Sequence, residues 1–90
     1  LVLDPLKHSV QRANKAITLT PKEFAVLELL MRHKGEVVSR TMIIEHVWDY
    51  NFDGMSNVVD VFVGTLRKKV DTGAKVKLIQ TVHGVGYKIG

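Results

Sequence analysis

The fifteen residues SNVVDVFVGTLRKKV, Ser56 to Val70, constrain this chain more than any other stretch. Their valines and phenylalanine suit a strand, because β-branched and aromatic side chains fit a pleated, half-buried surface. Periodicity points the other way. Val59, Phe62, Val63, Leu66 and Val70 fall at offsets of three, four, seven and eleven, one face of a helix, whereas alternation fails at Val58-Val59 and at Val61-Phe62-Val63. The stretch also outlasts a typical strand, and its Leu-Arg-Lys-Lys-Val ending places cations where the helix dipole favours them. A helix is therefore predicted. Gly64 costs that helix about 1 kcal/mol against alanine. Either a close backbone approach or an exposed site without packing demands accounts for it.

A helix with such a stripe needs a core to cover it. Ninety residues with 46% hydrophobic and 24% charged content supply one small domain, residues 1–90, and no second core. No cysteine is present, so neither disulfides nor a thiolate metal site hold the fold, and a cytoplasmic setting is expected. No apolar run approaches the roughly 18 residues that span a bilayer, and the first residues lack the order of a signal peptide, so a soluble domain is expected. Thirteen Lys and Arg against nine Asp and Glu give a net charge of +4. That balance permits a polyanionic partner without demanding one.

Upstream of this helix, Leu1-Val2-Leu3-Asp4 reads as a short strand stopped by Pro5. HSVQRA and KAITL read as two more, with a turn at Ala13-Asn14-Lys15, giving an antiparallel meander. Because the chain opens inside a strand, further sequence is expected before Leu1. TPKEFAVLELLMRH is the clearest local signal. Thr20 as N-cap, Pro21 at the first helical position and Glu23 two residues later form a capping box, each partner satisfying an orphan backbone N–H. Phe24, Leu27, Leu30 and Met31 then recur at helical spacing, and Gly35 supplies the stop. EVVS is a short extended link in which Ser39 caps a second helix through RTMIIEHVW, buried by Met42, Ile43, Val47 and in part Ile44. DYNFDGMS reads as a loop ending in a new cap at Ser56.

The chain closes with KLIQTVHGVGYKIG, two alternating apolar runs around His83-Gly84-Val85-Gly86, a β-hairpin at about 78–89. Gly84 and Gly86 are expected to take the positive φ of a tight turn, leaving His83 and Lys88 near the exposed edge. The order of strands, three helices and hairpin defines an α+β winged helix-turn-helix: an N-terminal antiparallel β-meander, three helices and a C-terminal β-hairpin wing. A helix fits the major groove of B-DNA with side chains at base edges, and a hairpin tip reaches the adjacent minor groove.

LTPKEFAVLELLMRHKGEVVSRTMIIEHVWDYNFD, NVVDVFVGTLRKKVD and IQTVHGVGYKI together resemble the effector domain of OmpR/PhoB-type response regulators over essentially the whole chain. VWDYNFD followed by NVVDV is most similar to the heavy-metal-responsive branch. The resemblance implies sequence-specific DNA binding for transcriptional control in a two-component system. It further implies an upstream receiver domain, a sensor kinase acting through that receiver, and head-to-tail dimers on direct repeats of promoter DNA. RNA polymerase is the remaining implied partner.

Carried over position by position, the resemblance assigns contacts with bases or phosphates to Asn57, Val58, Val61, Phe62, Thr65, Arg67, Lys68 and Lys69. Val59, Val63 and Leu66 match the buried stripe. Phe62 stands at the boundary, readable either as core or as a contact to a thymine methyl. Trp48 and Tyr87 match aromatic positions beside the DNA backbone, with Trp48 also expected to be partly core. Thr81 and His83 match wing contacts. The loop implied to approach RNA polymerase comprises Asp49, Tyr50, Asn51, Phe52, Asp53, Gly54 and Met55.

Two departures from the family pattern matter. Many relatives place consecutive arginines in the middle of the third helix, where this chain has Gly64-Thr65, and they often place arginine in the wing, where this chain has His83. Losing bidentate arginine–guanine pairs shifts base reading toward Asn57, Thr65 and apolar contacts.

Other function classes find little support. There is no glycine-rich phosphate loop, no Ser/His/Asp or Cys/His set that the fold unites, and no pair of carboxylates facing a cleft, so no enzyme and no catalytic residue is expected. His8, His33, His46 and His83 include no pair at the i, i+4 spacing of a helical zinc site, so neither metal nor cofactor is expected. A winged helix that binds only protein is the alternative reading. The cations of the third helix and the hairpin argue against it.

Overall fold

The structure, a computed structural model, describes residues 2–12, 15–48, 57–71 and 77–90. Expectations for Leu1, the Ala13-Asn14 turn, the Asp49–Met55 loop and the Ser56 cap lie outside these residues. In chain order the elements are β1 (Val2–Asp4), β2 (Ser9–Arg12), β3 (Lys15–Ile17), α1 (Pro21–Arg32) and β4 (Val38–Ser39). They continue with α2 (Arg40–Val47), α3 (Asn57–Asp71), β5 (Ile79–Val82) and β6 (Gly86–Ile89).

The N-terminal strands form an antiparallel sheet in the order β1-β2-β3, with Val2 opposite Gln11 and Val10 opposite Ile17. Asp4 turns the chain between β1 and β2, its Oδ1 accepting from the Leu6 and Lys7 amides at 3.0 and 3.2 Å. Within this sheet Val10 is buried, and Leu3 and Ile17 pack against the core.

Helix α1 starts at the predicted capping box. The Glu23 amide donates to Thr20 Oγ1 at 3.2 Å, and the Thr20 amide donates to Glu23 Oε1 at 2.8 Å. Burial of α1 is wider than one stripe: Val26 and Leu29 are buried alongside Phe24, Leu27 and Leu30, with Met31 at the margin. The cause is position, since α1 touches α2, α3 and β6. Gly35 ends the helix region with φ +86°, and its amide donates to Ile89 O at 2.7 Å, joining this turn to the last strand.

Helix α2 is capped by Ser39, whose Oγ accepts from the Met42 amide at 3.1 Å. Ile43 is buried, and Ile44 and Val47 pack partly against the core. Met42 corrects the sequence expectation: it is 39% exposed, while Ile43 beside it takes the buried position of the first turn of α2. Trp48 has left the helix, its extended backbone still donating to Ile44 O at 2.9 Å.

The segment that opened the sequence argument is helical, running one residue past its predicted end to Asp71. Val59, Val63, Leu66 and Val70 are buried, and Phe62 is half-buried beside them. Gly64 is half-buried, with nothing within 4 Å of where a Cβ would stand, so no close backbone approach requires glycine there.

The terminal hairpin supplies the central strand and one edge of a three-stranded sheet in the order β4-β6-β5. The expected extended link EVVS thus contributes a strand, Val38 pairing with Tyr87 and Ser39 with Gly86. This changes the role of Gly86. Only Gly84 of the two hairpin glycines has positive φ, +78°. A Cβ on Gly86 would lie 2.0 Å from the Val38 carbonyl oxygen, so close approach of β4, and not turn geometry, requires glycine there.

Candidate nucleic-acid interface

With the stripe of α3 buried, the opposite face is presented outward by geometry alone. Val61, Thr65, Lys68 and Lys69 are exposed, and Val58 and Phe62 are half-buried along one flank. Asn57 begins the helix. The wing turn stands at residues 83–85, where His83 is exposed and Lys88 is only partly so.

The three cations at the end of α3 are not equivalent. Lys69 Nζ donates to Glu23 Oε1 at 2.7 Å, so it closes α3 onto the capping box of α1. Glu23 itself is 3% exposed. Burial pulls its carboxyl upward, but the Lys69 hydrogen bond and the Thr20 amide outweigh that, leaving the pKa below the usual value. Arg67 is partly buried, with Nη2 donating to Thr81 Oγ1 at 2.8 Å, a tie between α3 and β5. Lys68 is exposed, and among the described residues nothing pairs with it. A phosphate contact therefore costs Lys68 no internal bond, whereas Arg67 and Lys69 already hold structural partners.

A second cluster fixes the wing against the start of α3. Arg40 Nε donates to Asp60 Oδ1 at 2.9 Å, the Tyr87 hydroxyl donates to the same oxygen, and the Arg40 guanidinium lies 5.7 Å from the Tyr87 ring centroid. The Tyr87 bond, then the Arg40 bond, holds the Asp60 carboxyl below the ordinary range. Burial, then the Asp60 carboxylate, pushes the Tyr87 phenol up. Tyr87 is 4% exposed, which differs from its expected place beside the DNA backbone: its ring belongs to the core cluster, and its hydroxyl is committed to Asp60.

Trp48 is half-buried and meets Phe62 edge to face, with centroids 5.1 Å apart and planes at 79°. Lys22 Nζ stands 5.3 Å from the Trp48 ring centroid. Phe62 packs one side against Trp48, and its other side lines an open groove with Val58, Val61 and Thr65.

Sequence reasoning missed Asp60, Arg40 and Asp71. Asp71 is 1% exposed and accepts from Arg12 Nη1 at 2.7 Å and from the Leu78 and Ile79 amides at 3.0 and 3.2 Å. One signal was available: an acidic residue at the C-terminal end of a helix opposes the dipole and needs a reason. Asp60 carried no such signal, because a first-turn aspartate is ordinary and its partners lie 20 and 27 residues away.

A winged sheet set beside the outer face of the third helix defines the class: a winged-helix domain of the DNA-binding kind. The chain belongs to the family of transcriptional regulatory protein C-terminal domains, matched over residues 14–89, and so to the OmpR/PhoB-type effector domains. It is 49% identical over 89 residues to the transcriptional regulatory protein CusR of Escherichia coli K12, covering 99% of this chain and 39% of that protein. That likeness accords with placement in the heavy-metal-responsive branch. The response regulator DrrB of Thermotoga maritima, an OmpR/PhoB homolog, superposes with a TM-score of 0.85 at 31% identity, over 97% of this chain and 40% of that one. The AdeR DNA-binding domain, solved in complex with an intercistronic region, superposes with a TM-score of 0.86 at 27% identity. That match covers 98% of this chain and 90% of the other. The chain thus spans about two fifths of the length of its full-length relatives.

Proposed function

We propose that this chain is the sequence-specific DNA-binding output domain of a response regulator, laying α3 in the major groove and the β5–β6 turn at the adjacent minor groove. The observation that carries this reading is the division of α3. One face is sealed by Val59, Val63, Leu66 and Val70, and the other offers Val61, Thr65 and Lys68 next to the wing. Two ties hold that geometry before any ligand arrives, Arg67 to Thr81 and Tyr87 with Arg40 to Asp60. Preorganisation of this kind lowers the ordering cost of binding.

The mechanism is recognition, without chemistry on the bound molecule. Lys68 contacts phosphate and fixes register, Asn57 and the Val58–Thr65 face read bases, and His83 reaches the neighbouring groove. In the full-length protein an upstream receiver, addressed by a sensor kinase, brings two such domains head to tail onto direct repeats. Asp49 to Met55 approach RNA polymerase. The setting is the bacterial cytoplasm.

Selection from random duplexes, followed by a titration of the chosen site across a salt series, tests the reading. A recovered consensus and an affinity that falls steeply with salt are expected. No binding to any duplex at low salt would leave the protein-binding alternative in its place.

A further inference from the structure

Between α3 and the start of α1 runs an open groove of about 330 Å³, lined by Thr20, Glu23, Val58, Val61, Phe62 and Thr65. Its walls are largely apolar. Val58 and Phe62 are half-buried, Val61 on the lip is 67% exposed, and Thr65 Oγ1 donates back to Val61 O at 3.2 Å, which uses its hydroxyl hydrogen within the helix. One charged side chain lines the groove. Glu23 is 3% exposed and ionised at neutral pH, its pKa lying below the usual carboxylate value. Both hydrogen bonds that its carboxylate accepts, from the Thr20 amide at 2.8 Å and from Lys69 Nζ at 2.7 Å, end on Oε1. Oε2 accepts none among the described residues, and it is not sealed from solvent, since the one fully buried side-chain atom without a partner among them is Arg67 Nε. A carboxylate oxygen thus keeps its lone pairs free in a groove walled by hydrocarbon.

We propose that this groove binds a small neutral aromatic molecule with one O–H or N–H donor, a phenol or an indole in chemical class, whose ring lies on Phe62 and whose donor bonds Glu23 Oε2. The volume stands at the lower end of the roughly 300–1,000 Å³ of small-molecule sites, room for one or two rings. Charge selects the class. An anion meets the Glu23 carboxylate, and a cation meets Lys69 Nζ, 2.7 Å from Glu23 Oε1, with Lys22 Nζ over the Trp48 ring that packs on Phe62. A neutral donor meets neither repulsion and fills an acceptor left over by the capping box. Phe62 favours an aromatic body, because ring pairs gain beyond the apolar area they bury. Val61 and Thr65 belong also to the outward face of α3, so an occupied groove and a bound duplex exclude one another. That consequence alone rests on the placement of α3 in the major groove.

The probe is para-ethylphenol, and its control is para-ethylanisole, the same molecule with the O–H capped by a methyl group. Added to the 90-residue chain, the phenol is expected to shift the amide resonances of Thr20 to Glu23 and of Val58 to Thr65 saturably, with a dissociation constant of about 1 mM for a ligand of this size. The ether should bind about tenfold more weakly, having no donor for a charged acceptor. Glu23→Gln keeps the capping box, which accepts either residue, and should bring the phenol down to the affinity of the ether. Val61→Ser, at an exposed position, should weaken both probes by about threefold and preserve their ratio. No saturable shift up to about 10 mM, shifts confined to other parts of the domain, equal affinity for phenol and ether, or a preference that survives Glu23→Gln would each overturn the site. In a gel-shift titration, the phenol at about 10 mM should weaken binding of the selected duplex by about tenfold. An unchanged duplex affinity beside the mapped shifts would overturn the exclusion. Absence of duplex binding with those shifts intact would instead overturn the major-groove placement and leave the site standing.

Discussion

Among single residues, the three adjacent cations Arg67, Lys68 and Lys69 show how little a charge run says about which charge is available. Their sequence neighbourhood is uniform, yet Arg67 is tied to Thr81, Lys69 to Glu23, and Lys68 alone stands exposed without an internal partner among the described residues. Lys68→Ala should therefore weaken binding to all duplexes by a similar factor, lower the salt slope by about one unit and leave thermal unfolding unchanged. Lys69→Ala should act differently, lowering the unfolding temperature as well, since it strips a partner from a carboxylate that is 3% exposed. Titration of both variants against salt, beside a melting curve, distinguishes a phosphate ligand from a structural cation. An unchanged slope for Lys68→Ala would remove it from the interface.

At the scale of elements, two glycines that look alike in sequence sit in opposite environments. Gly64 lies in α3 with open space around its missing Cβ, so Gly64→Ala should raise stability by up to about 1 kcal/mol, read as a higher denaturant midpoint with an unaltered slope. Gly86 lies opposite Ser39 of β4, where a Cβ would meet the Val38 carbonyl oxygen at 2.0 Å and Ser39 Cα at 2.9 Å. These are backbone atoms that cannot swing aside. Gly86→Ala should cost about 1–3 kcal/mol and accelerate amide exchange where β4 pairs with β6, at Val38 and Ser39. Normal exchange there with full stability would mean that β4 does not approach β6 as described.

Across the whole molecule, carboxylates join the layers. Asp71 links β2, α3 and the start of β5 through Arg12 and the Leu78 and Ile79 amides, and Asp71→Ala should cost about 3–5 kcal/mol by removing the acceptor from all three. Chemical denaturation measures it, and a loss below about 1 kcal/mol would show that the layers cohere without it. Glu23 and Asp60 set an acid limit. Both have folded pKa values below the ordinary carboxylate range, so each adds stability above an unfolded pKa of about 4 and loses it as pH falls through the folded value. Between about pH 5 and 3 the parent should lose more stability than the Glu23→Gln, Asp60→Asn double variant. Parallel slopes for the two proteins over that range would exclude these groups as the source.

Local physics was legible in the sequence because its causes lie within a few residues. The Thr20–Glu23 box, the Ser39 cap, the helical period from Val59 to Val70 and the turn at Gly84 each follow from steric and hydrogen-bonding rules that act along the chain. Element order then gave the winged-helix class. Tertiary structure alone decided which outward groups are spare. That Lys69 closes on Glu23, Arg67 on Thr81 and Asp60 on both Arg40 and Tyr87 depends on separations of 46, 14, 20 and 27 residues. Met42 and Tyr87 exchanged their expected surroundings for the same reason. Periodicity states which face of an element is apolar, but which neighbour covers that face, and which polar atom is consumed in holding it there, is settled only when the elements pack.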